Sequence, residues 1–236
     1  MTPERPLSPE TELIPYKPAG LPPAPWLVLA PHPDDETFGL GGTIALATKA
    51  SLPVKLVVVT DGQLGGESSL RFKETLAAAK VLGISELEFW EIPDRKVQEN
   101  RQIFRQKLKK ILAPFKTVFS PSLFEFHPDH RATTLLAAAL LEEEGWSGEL
   151  WLYEIARQGE ANRLVDITPV IETKKQAMKC YQSQLAQNAY FEVVLGLNRA
   201  RSYTLAPAGV QYAEAFFASK APSLLEAWFA QLKRYF

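Results

Sequence analysis

The sequence predicts an α/β fold that is Rossmann-like, with a mostly parallel sheet and helices on both faces. Short apolar runs with little polar alternation recur along the chain, which is typical of strands buried on both faces. Segments with a helical period separate these runs. Because strands that alternate with helices form parallel sheets through crossover connections, this pattern favours a single doubly wound sheet.

The predicted strands and helices alternate in chain order. The strands are short and apolar: Trp26–Ala30, Val54–Thr60, Leu87–Glu91, Thr117–Ser120 and Glu149–Ile155. Helical periods cover Thr43–Ala50, Ser69–Leu82, Val97–Leu112, Arg131–Glu144 and Pro169–Gln184. Ser69 and Thr168 stand where helix N-caps are expected, and apolar spacing after Pro222 predicts a further helix packed on the sheet.

One domain is expected to account for most of the chain. Residues 1–25 are proline-rich and predict an N-terminal arm, and residues 26–236 predict a single α/β domain. The net charge of -1 disfavours nucleic acid as a partner and favours a small molecule. The chain has one cysteine, no apolar leader and no membrane-spanning apolar run, so a cytoplasmic protein is predicted. Homo-oligomerisation stays open.

The three histidines of the chain lie in two short motifs, each after a predicted strand. His32 belongs to Pro31-His-Pro-Asp-Asp-Glu36, whereas His127 and His130 belong to His127-Pro-Asp-His130. In open α/β sheets, ligands bind at the carboxyl ends of the strands. The two motifs are therefore expected to meet in one ligand-binding crevice.

The first motif combines an imidazole with three consecutive acids. Asp34, Asp35 and Glu36 repel one another and would be costly in a cleft unless a cation compensates their charge. Pro31 and the proline after His32 restrict φ and make the turn rigid. Imidazole and carboxylate together suit zinc, so the motif predicts a site for a divalent metal.

The second motif places two imidazoles on one side of a predicted helix. Pro128 suits the first turn of a helix, and residues three apart in a helix lie on one face. One of His127 and His130 would then bind the metal while the other faces substrate, and the spacing does not distinguish them. Three protein ligands with an open position for water are the arrangement of catalytic zinc.

The two motifs, in this order and on this kind of fold, resemble the PIG-L/LmbE-like family of metal-dependent N-acetylglucosaminyl deacetylases. The likeness extends from Trp26 onward. Less distinctive stretches that also match are Thr60–Gly66 with Arg71 and Glu74, Ile92–Arg95, and Tyr212–Phe216.

The resemblance implies a zinc-type hydrolase that removes the acetyl group from an N-acetylated amino sugar or its conjugate. Fe2+ or another divalent metal is the alternative to Zn2+. The metal ligands implied by the family are His32, Asp35 and His130. Asp34 would be the general base, and His127 would polarise the carbonyl or protonate the leaving amine.

Two further residues receive supporting roles from the resemblance. Arg71 would bind substrate, with a surface pair to Glu74 as the alternative, and Glu36 would support the metal ligands through hydrogen bonds. Two departures leave the substrate open. Glu125 stands where some sugar–thiol relatives have tyrosine, and Tyr181 stands where relatives often have histidine.

Two other functions are consistent with parts of the sequence. Gly39, Gly41 and Gly42 after a strand, with Asp61 after the next, partly resemble a nucleotide-binding Rossmann module. Their spacing does not match G-x-G-x-x-G, and we interpret these glycines as allowing close packing of helix and strand. Two histidines and a carboxylate also form the ligand set of non-haem iron oxygenases.

Overall fold

The structure is a computed structural model that describes residues 17–203, 205 and 209–220. In this described part of the chain, seven strands form one sheet in the order β3-β2-β1-β4-β5-β7-β6. Neighbouring strands from β3 through β5 are parallel, whereas β7 runs antiparallel to both β5 and β6. The predicted α/β fold with a mostly parallel sheet is thereby confirmed.

The strands lie close to their predicted positions where they are apolar. They are β1 (Trp26–Ala30), β2 (Val54–Thr60), β3 (Glu86–Ile92), β4 (Thr117–Pro121), β5 (Glu149–Tyr153), β6 (Arg163–Asp166) and β7 (Ala213–Ser219). The last two were not predicted. They are short or only partly buried antiparallel strands, and their pairing depends on contacts distant in sequence.

Helices cover both faces of the sheet. They are α1 (Asp35–Lys49), α2 (Ser68–Leu82), α3 (Arg101–Ile111), α4 (Pro128–Glu143), α5 (Ile171–Met178), α6 (Gln182–Leu185) and α7 (Tyr190–Ser202). The N-cap prediction at Ser69 was wrong, because α2 already begins at Ser68. Thr168 instead begins a short 3-10 helix and its hydroxyl accepts hydrogen bonds from Gln211 N and Tyr212 N.

Strand alternation divides the core between the two faces. Trp26 and Val28 of β1 belong to the cluster under α1 and α2, whereas Leu27 and Leu29 belong to the cluster under α3 and α4. All four side chains are fully buried. A central strand that is apolar on both faces is what a sheet covered on both faces requires.

Helix α1 begins eight residues earlier than predicted, at Asp35. Three glycines in the first half gave it a low helix propensity. The packing explains Gly39 and Gly42, because a Cβ on Gly39 would lie 2.3 Å from the Tyr153 ring and one on Gly42 would lie 2.7 Å from Ile167. The interpretation that the glycines allow close packing is confirmed for these two, whereas a Cβ on Gly41 would have 3.6 Å to its nearest neighbour.

The described part of the predicted N-terminal arm contacts the domain. Trp26 Nε1 donates to Pro22 O at 3.1 Å, and Thr117 Oγ1 donates to Pro23 O at 2.7 Å. The boundary at residue 25 stays a prediction, and the rest of the arm and the predicted helix after Pro222 lie outside the described residues. Among the described residues, no helix is long and apolar enough to cross a membrane.

Candidate metal-dependent active site

A cleft of about 690 Å³ opens at the carboxyl ends of the parallel strands. It lies where strand order reverses, because β1 pairs with β2 on one side and with β4 on the other. Six of the seven predicted site residues line it: His32, Asp34, Asp35, Arg71, His127 and His130. The two histidine motifs meet in one crevice, as their positions after strands predicted.

The first motif forms a strained turn between β1 and α1. Asp34 has a φ of 125°, a conformation that non-glycine residues rarely adopt and that is often found at functional sites. Its carbonyl accepts hydrogen bonds from Thr37 N at 3.0 Å and Phe38 N at 2.9 Å. His32 N donates to Asp35 Oδ2 at 2.8 Å. These bonds hold the strained turn at the start of the helix.

The second motif is organised by the start of α4. His127 is the N-cap residue, and its Nδ1 accepts a hydrogen bond from Asp129 N at 3.2 Å. Pro128 is the first residue of the helix, where proline needs no hydrogen-bond partner. The ring centres of His127 and His130 lie 5.3 Å apart, so both imidazoles reach the cleft.

Three side-chain atoms form a nearly equilateral triangle. His32 Nδ1 lies 3.2 Å from His130 Nε2 and 3.3 Å from Asp35 Oδ2, and the His130 and Asp35 atoms lie 3.2 Å apart. Tetrahedral ligands at zinc bond lengths are roughly 3.3–3.6 Å from one another. The donors and their spacing therefore fit a divalent cation held by two imidazoles and one carboxylate.

Two further groups of side chains also approach within 4.8 Å of one another. One consists of His32, His127 and His130, and the other of His32, Asp94, His127 and Asp129. The first would replace the Asp35 carboxylate by the His127 ring. Asp35 Oδ2 lies within 3.3 Å of both imidazole nitrogens of the triangle, whereas His127 has only Nε2 available for a metal because its Nδ1 accepts from Asp129 N.

Two carboxylates approach the Nε2 side of the His32 ring and orient it. Sequence reasoning assigned neither of them a role. His32 Nε2 lies 3.2 Å from Asp94 Oδ1 and 3.6 Å from Asp129 Oδ2. A proton on Nε2 leaves Nδ1 free for a metal, which is the usual arrangement of a ligating histidine. Two features of the sequence could have indicated these carboxylates. Asp94 comes shortly after β3, and Asp129 ends the second copy of the tripeptide His-Pro-Asp.

An Asp94→Asn variant is expected to bind zinc about 10–100-fold more weakly, the usual cost of losing a partner behind a metal ligand. The amide keeps the size of the side chain but removes the charge beside His32 Nε2. Competition with a chelating dye measures the affinity. Asp166→Asn on the edge strand β6 is the matched control, and an equal loss in both variants would contradict the orienting role.

Arg71 holds the strained turn. Its Nη2 donates to Pro33 O at 2.7 Å and to Asp34 Oδ2 at 3.1 Å, and its Nη1 donates to Gly62 O at 2.7 Å. The alternative of a surface pair with Glu74 was wrong, because Arg71 is buried and Glu74 accepts hydrogen bonds from Ser183. Arg71 also lines the cleft, and its contact with substrate stays a prediction.

Burial and neighbouring charges perturb the titration of the first motif. Burial raises the pKa of the Asp34 carboxyl well above its usual value, although Arg71 acts in the opposite direction. Burial also acts to raise the pKa of Asp35, but His130 and His32 hold it far below its usual range. Asp35 is thus a carboxylate suited to a cation, and Asp34 has the raised basicity of a proton acceptor.

The surroundings of the His127 ring determine its protonation. Burial, followed by the charges of His32 and His130, lowers the pKa of His127 to about 4. The ring is therefore neutral at pH 7. Because its Nδ1 accepts the hydrogen bond from Asp129 N, we assign its proton to Nε2. A neutral ring with Nε2–H can donate a hydrogen bond to a substrate carbonyl.

Glu36 and the two departures from the family pattern occupy buried structural positions. Glu36 accepts hydrogen bonds from Thr37 Oγ1 at 2.6 Å and from the Tyr181 hydroxyl. Its Oε2 lies 3.4 Å from Asp34 N, so it touches the backbone of the strained turn. Glu125 Oε1 accepts from Ile155 N at 2.8 Å and fixes a loop that lines the cleft.

The features behind the nucleotide-binding alternative have structural explanations. Asp61 Oδ1 accepts hydrogen bonds from Gln63 N at 3.2 Å and Asp94 N at 3.0 Å, so this carboxylate organises two loops. The glycines of α1 pack against Tyr153 and Ile167. Neither feature presents a phosphate-binding loop, and the carboxylates at the start of α1 would repel a pyrophosphate.

Comparisons with known proteins indicate the family of this chain. The family model PIG-L, described as GlcNAc-PI de-N-acetylase, matches residues 27–141. Diacetylchitobiose deacetylase of Thermococcus kodakarensis is 27% identical over 70% of this chain and 71% of its own length. A probable N-acetyl-alpha-D-glucosaminyl L-malate deacetylase 2 of Bacillus subtilis is 26% identical over 67% of this chain and 82% of its own.

Solved structures give the same result. The N,N'-diacetylchitobiose deacetylase of Pyrococcus horikoshii superposes with a TM-score of 0.73 at 27% identity, over 83% of this chain and 84% of that one. The conserved protein TT1542 of Thermus thermophilus superposes with a TM-score of 0.71 at 31% identity, over 81% and 92%. Sequence and fold agree, and the chain belongs to the PIG-L (LmbE-like) family.

Proposed function

We propose that this protein is a metal-dependent N-deacetylase that hydrolyses the acetamide of an N-acetylated amino sugar or its conjugate. The observation that carries the proposal is the triangle of His32 Nδ1, Asp35 Oδ2 and His130 Nε2. Asp34 and His127 line the same cleft. A divalent cation held by the triangle, with Zn2+ as the first candidate, would acidify water and polarise the carbonyl.

The remaining residues have roles that follow from their contacts. Asp34, positioned by Arg71, accepts a proton from the attacking water. The Nε2–H of His127 donates to the oxygen on which negative charge develops. The proton taken from water is then delivered to the amide nitrogen. The carbon–nitrogen bond breaks, and the products are acetate and the free amine.

The relatives support an amino sugar as the substrate class. The names of two of them specify diacetylchitobiose and an N-acetylglucosaminyl malate conjugate. The cleft volume of about 690 Å³ is sufficient for a molecule of this size. Both diacetylchitobiose and N-acetylglucosamine are therefore suitable first substrates.

Acetate release from these two sugars tests the proposal. Zinc-loaded protein is expected to release acetate in proportion to its metal content, and removal of the metal with a chelator is expected to abolish release. Zinc readdition should restore it. Bound metal without acetate release from any N-acetylated amino sugar would contradict the substrate class, and unchanged activity after metal removal would contradict the mechanism.

The same assay distinguishes hydrolysis from the oxygenase alternative. A non-haem iron oxygenase shares the ligand set of two histidines and a carboxylate but requires oxygen and commonly a 2-oxo acid. Asp34, which pairs with Arg71, would serve as the general base that hydrolysis requires. We expect acetate release to be unchanged under anaerobic conditions without a 2-oxo acid.

A further inference from the structure

Helix α1 is interrupted one turn after the catalytic motif. Leu40 has φ of -137° and ψ of 22°, which are not helical values. In a regular α-helix the carbonyl of Phe38 would accept a hydrogen bond from Gly42 N, four residues later. This bond is replaced, because both groups have other partners.

A buried ion pair is inserted between these two backbone groups. Lys174 Nζ of α5 donates to Phe38 O at 2.9 Å and to Glu214 Oε1 of β7 at 2.6 Å. The same Glu214 oxygen accepts from Gly42 N at 2.8 Å, and the other accepts from Thr43 N at 2.7 Å. Lys174 thus ends the first turn of α1, and Glu214 begins the second part.

Stability alone does not account for charges at this position. Both side chains are fully buried, and an ion pair that is removed from water gains little over an apolar pair of similar size. Insertion of a side chain into the hydrogen bonds of a helix does, however, set a kink. The geometry therefore points to the direction of the first turn as the property that the pair controls.

The first turn carries the reactive groups. Thr37 N and Phe38 N both donate to Asp34 O, so residues 34–38 form one hydrogen-bonded unit. The second part of α1 packs closely at Gly42 against Ile167, the residue that follows β6. The pair lies between a fixed helix and a turn that presents Asp34 and Asp35.

We propose that Lys174 and Glu214 are positioning residues that set the direction of the Asp34–Phe38 turn relative to the rest of the site. The kinetic part of this inference rests on the proposed deacetylase function. The metal-binding part does not, because Asp35 belongs to the candidate ligand triangle whatever the substrate is.

Three variants test the proposal. Lys174→Met leaves a buried unpaired carboxylate, so its Tm is expected to fall by roughly 10 °C. Lys174→Met/Glu214→Gln removes both charges at this position, so its Tm should recover most of this loss. If the pair positions the turn, kcat of the double variant nevertheless stays about 10²-fold low with KM nearly unchanged, as expected for misplaced catalytic groups. Its zinc affinity, measured without substrate, should also stay below that of the wild type.

The third variant is Glu214→Asp, which keeps both charges but shortens the reach toward Gly42 N and Thr43 N. It should also show a lowered kcat and a lowered zinc affinity, with smaller losses than the double variant. Leu108→Ala in α3, on the opposite face of the sheet, provides a control with lowered Tm and unchanged kcat and zinc affinity.

Recovery of kcat and zinc affinity together with Tm in the double variant would overturn the proposal. Wild-type kcat and zinc affinity in Glu214→Asp would also overturn it, even if the double variant does not fold. If the wild type binds zinc but deacetylates no sugar, the zinc affinities still test the positioning role, and the proposed function alone fails.

Discussion

An Asp34→Asn variant is expected to bind zinc like the wild type and to release acetate ~10²-fold more slowly or worse, the usual loss when a general base is removed. The amide oxygen can still accept the hydrogen bond from Arg71 Nη2, so the side chain should keep its place. Asparagine and aspartate have the same shape, so the strained φ of 125° should cost the variant no more than it costs the wild type. The substitution therefore removes basicity with little change in geometry.

Metal content and acetate release measured on the same protein samples check this prediction. Asp166→Asn is the matched exchange of carboxylate for amide outside the cleft and should retain wild-type turnover. Turnover near the wild-type rate in Asp34→Asn would exclude Asp34 as the base. Loss of zinc in the variant would instead indicate that Asp34 contributes to metal binding.

His130→Ala is expected to lose both metal binding and activity. The substitution removes one corner of the triangle, and the loss of affinity should exceed the ~10–100-fold cost of losing a partner behind a ligand. Metal that binds only the folded state raises stability, by about 4 kcal/mol at a thousand times the dissociation constant. Zinc should therefore raise the Tm of the wild type and leave that of His130→Ala almost unchanged.

His127→Ala provides the contrast that identifies the ligand set. If His32, Asp35 and His130 bind the metal, His127→Ala keeps the zinc-dependent rise in Tm and loses only rate. If the imidazole triad of His32, His127 and His130 is the ligand set, both variants lose that rise. A zinc response in His130→Ala equal to that of the wild type would contradict both ligand sets.

The fold by itself does not select deacetylation. The 4-carboxy-2-hydroxymuconate hydratase of Pseudomonas putida, 20% identical, superposes on this chain with a TM-score of 0.65. The same architecture therefore occurs in an enzyme named for a different reaction. Asp34 and His127 beside the triangle favour hydrolysis of an amide, as do the deacetylase relatives above 25% identity.

Local sequence patterns were sufficient to predict the strands in the parallel part of the sheet. Trp26–Ala30 and Val54–Thr60 were predicted with the bounds that the structure has, because a strand buried on both faces is apolar at nearly every position. The partly exposed β7 has no such run, and its place between β5 and β6 is set by pairing with residues distant in sequence. Such pairing leaves a weak local signal.

The sequence alone was enough to name the candidate site residues and to expect them in one crevice, since each histidine motif follows a strand of a parallel sheet. Only the three-dimensional arrangement revealed how these residues are held. Asp94 behind His32, Arg71 against Asp34, and the Lys174–Glu214 pair inside α1 all join segments far apart in the chain. Hydrogen bonds between buried polar groups depend on which elements pack together, and composition and spacing do not record that packing.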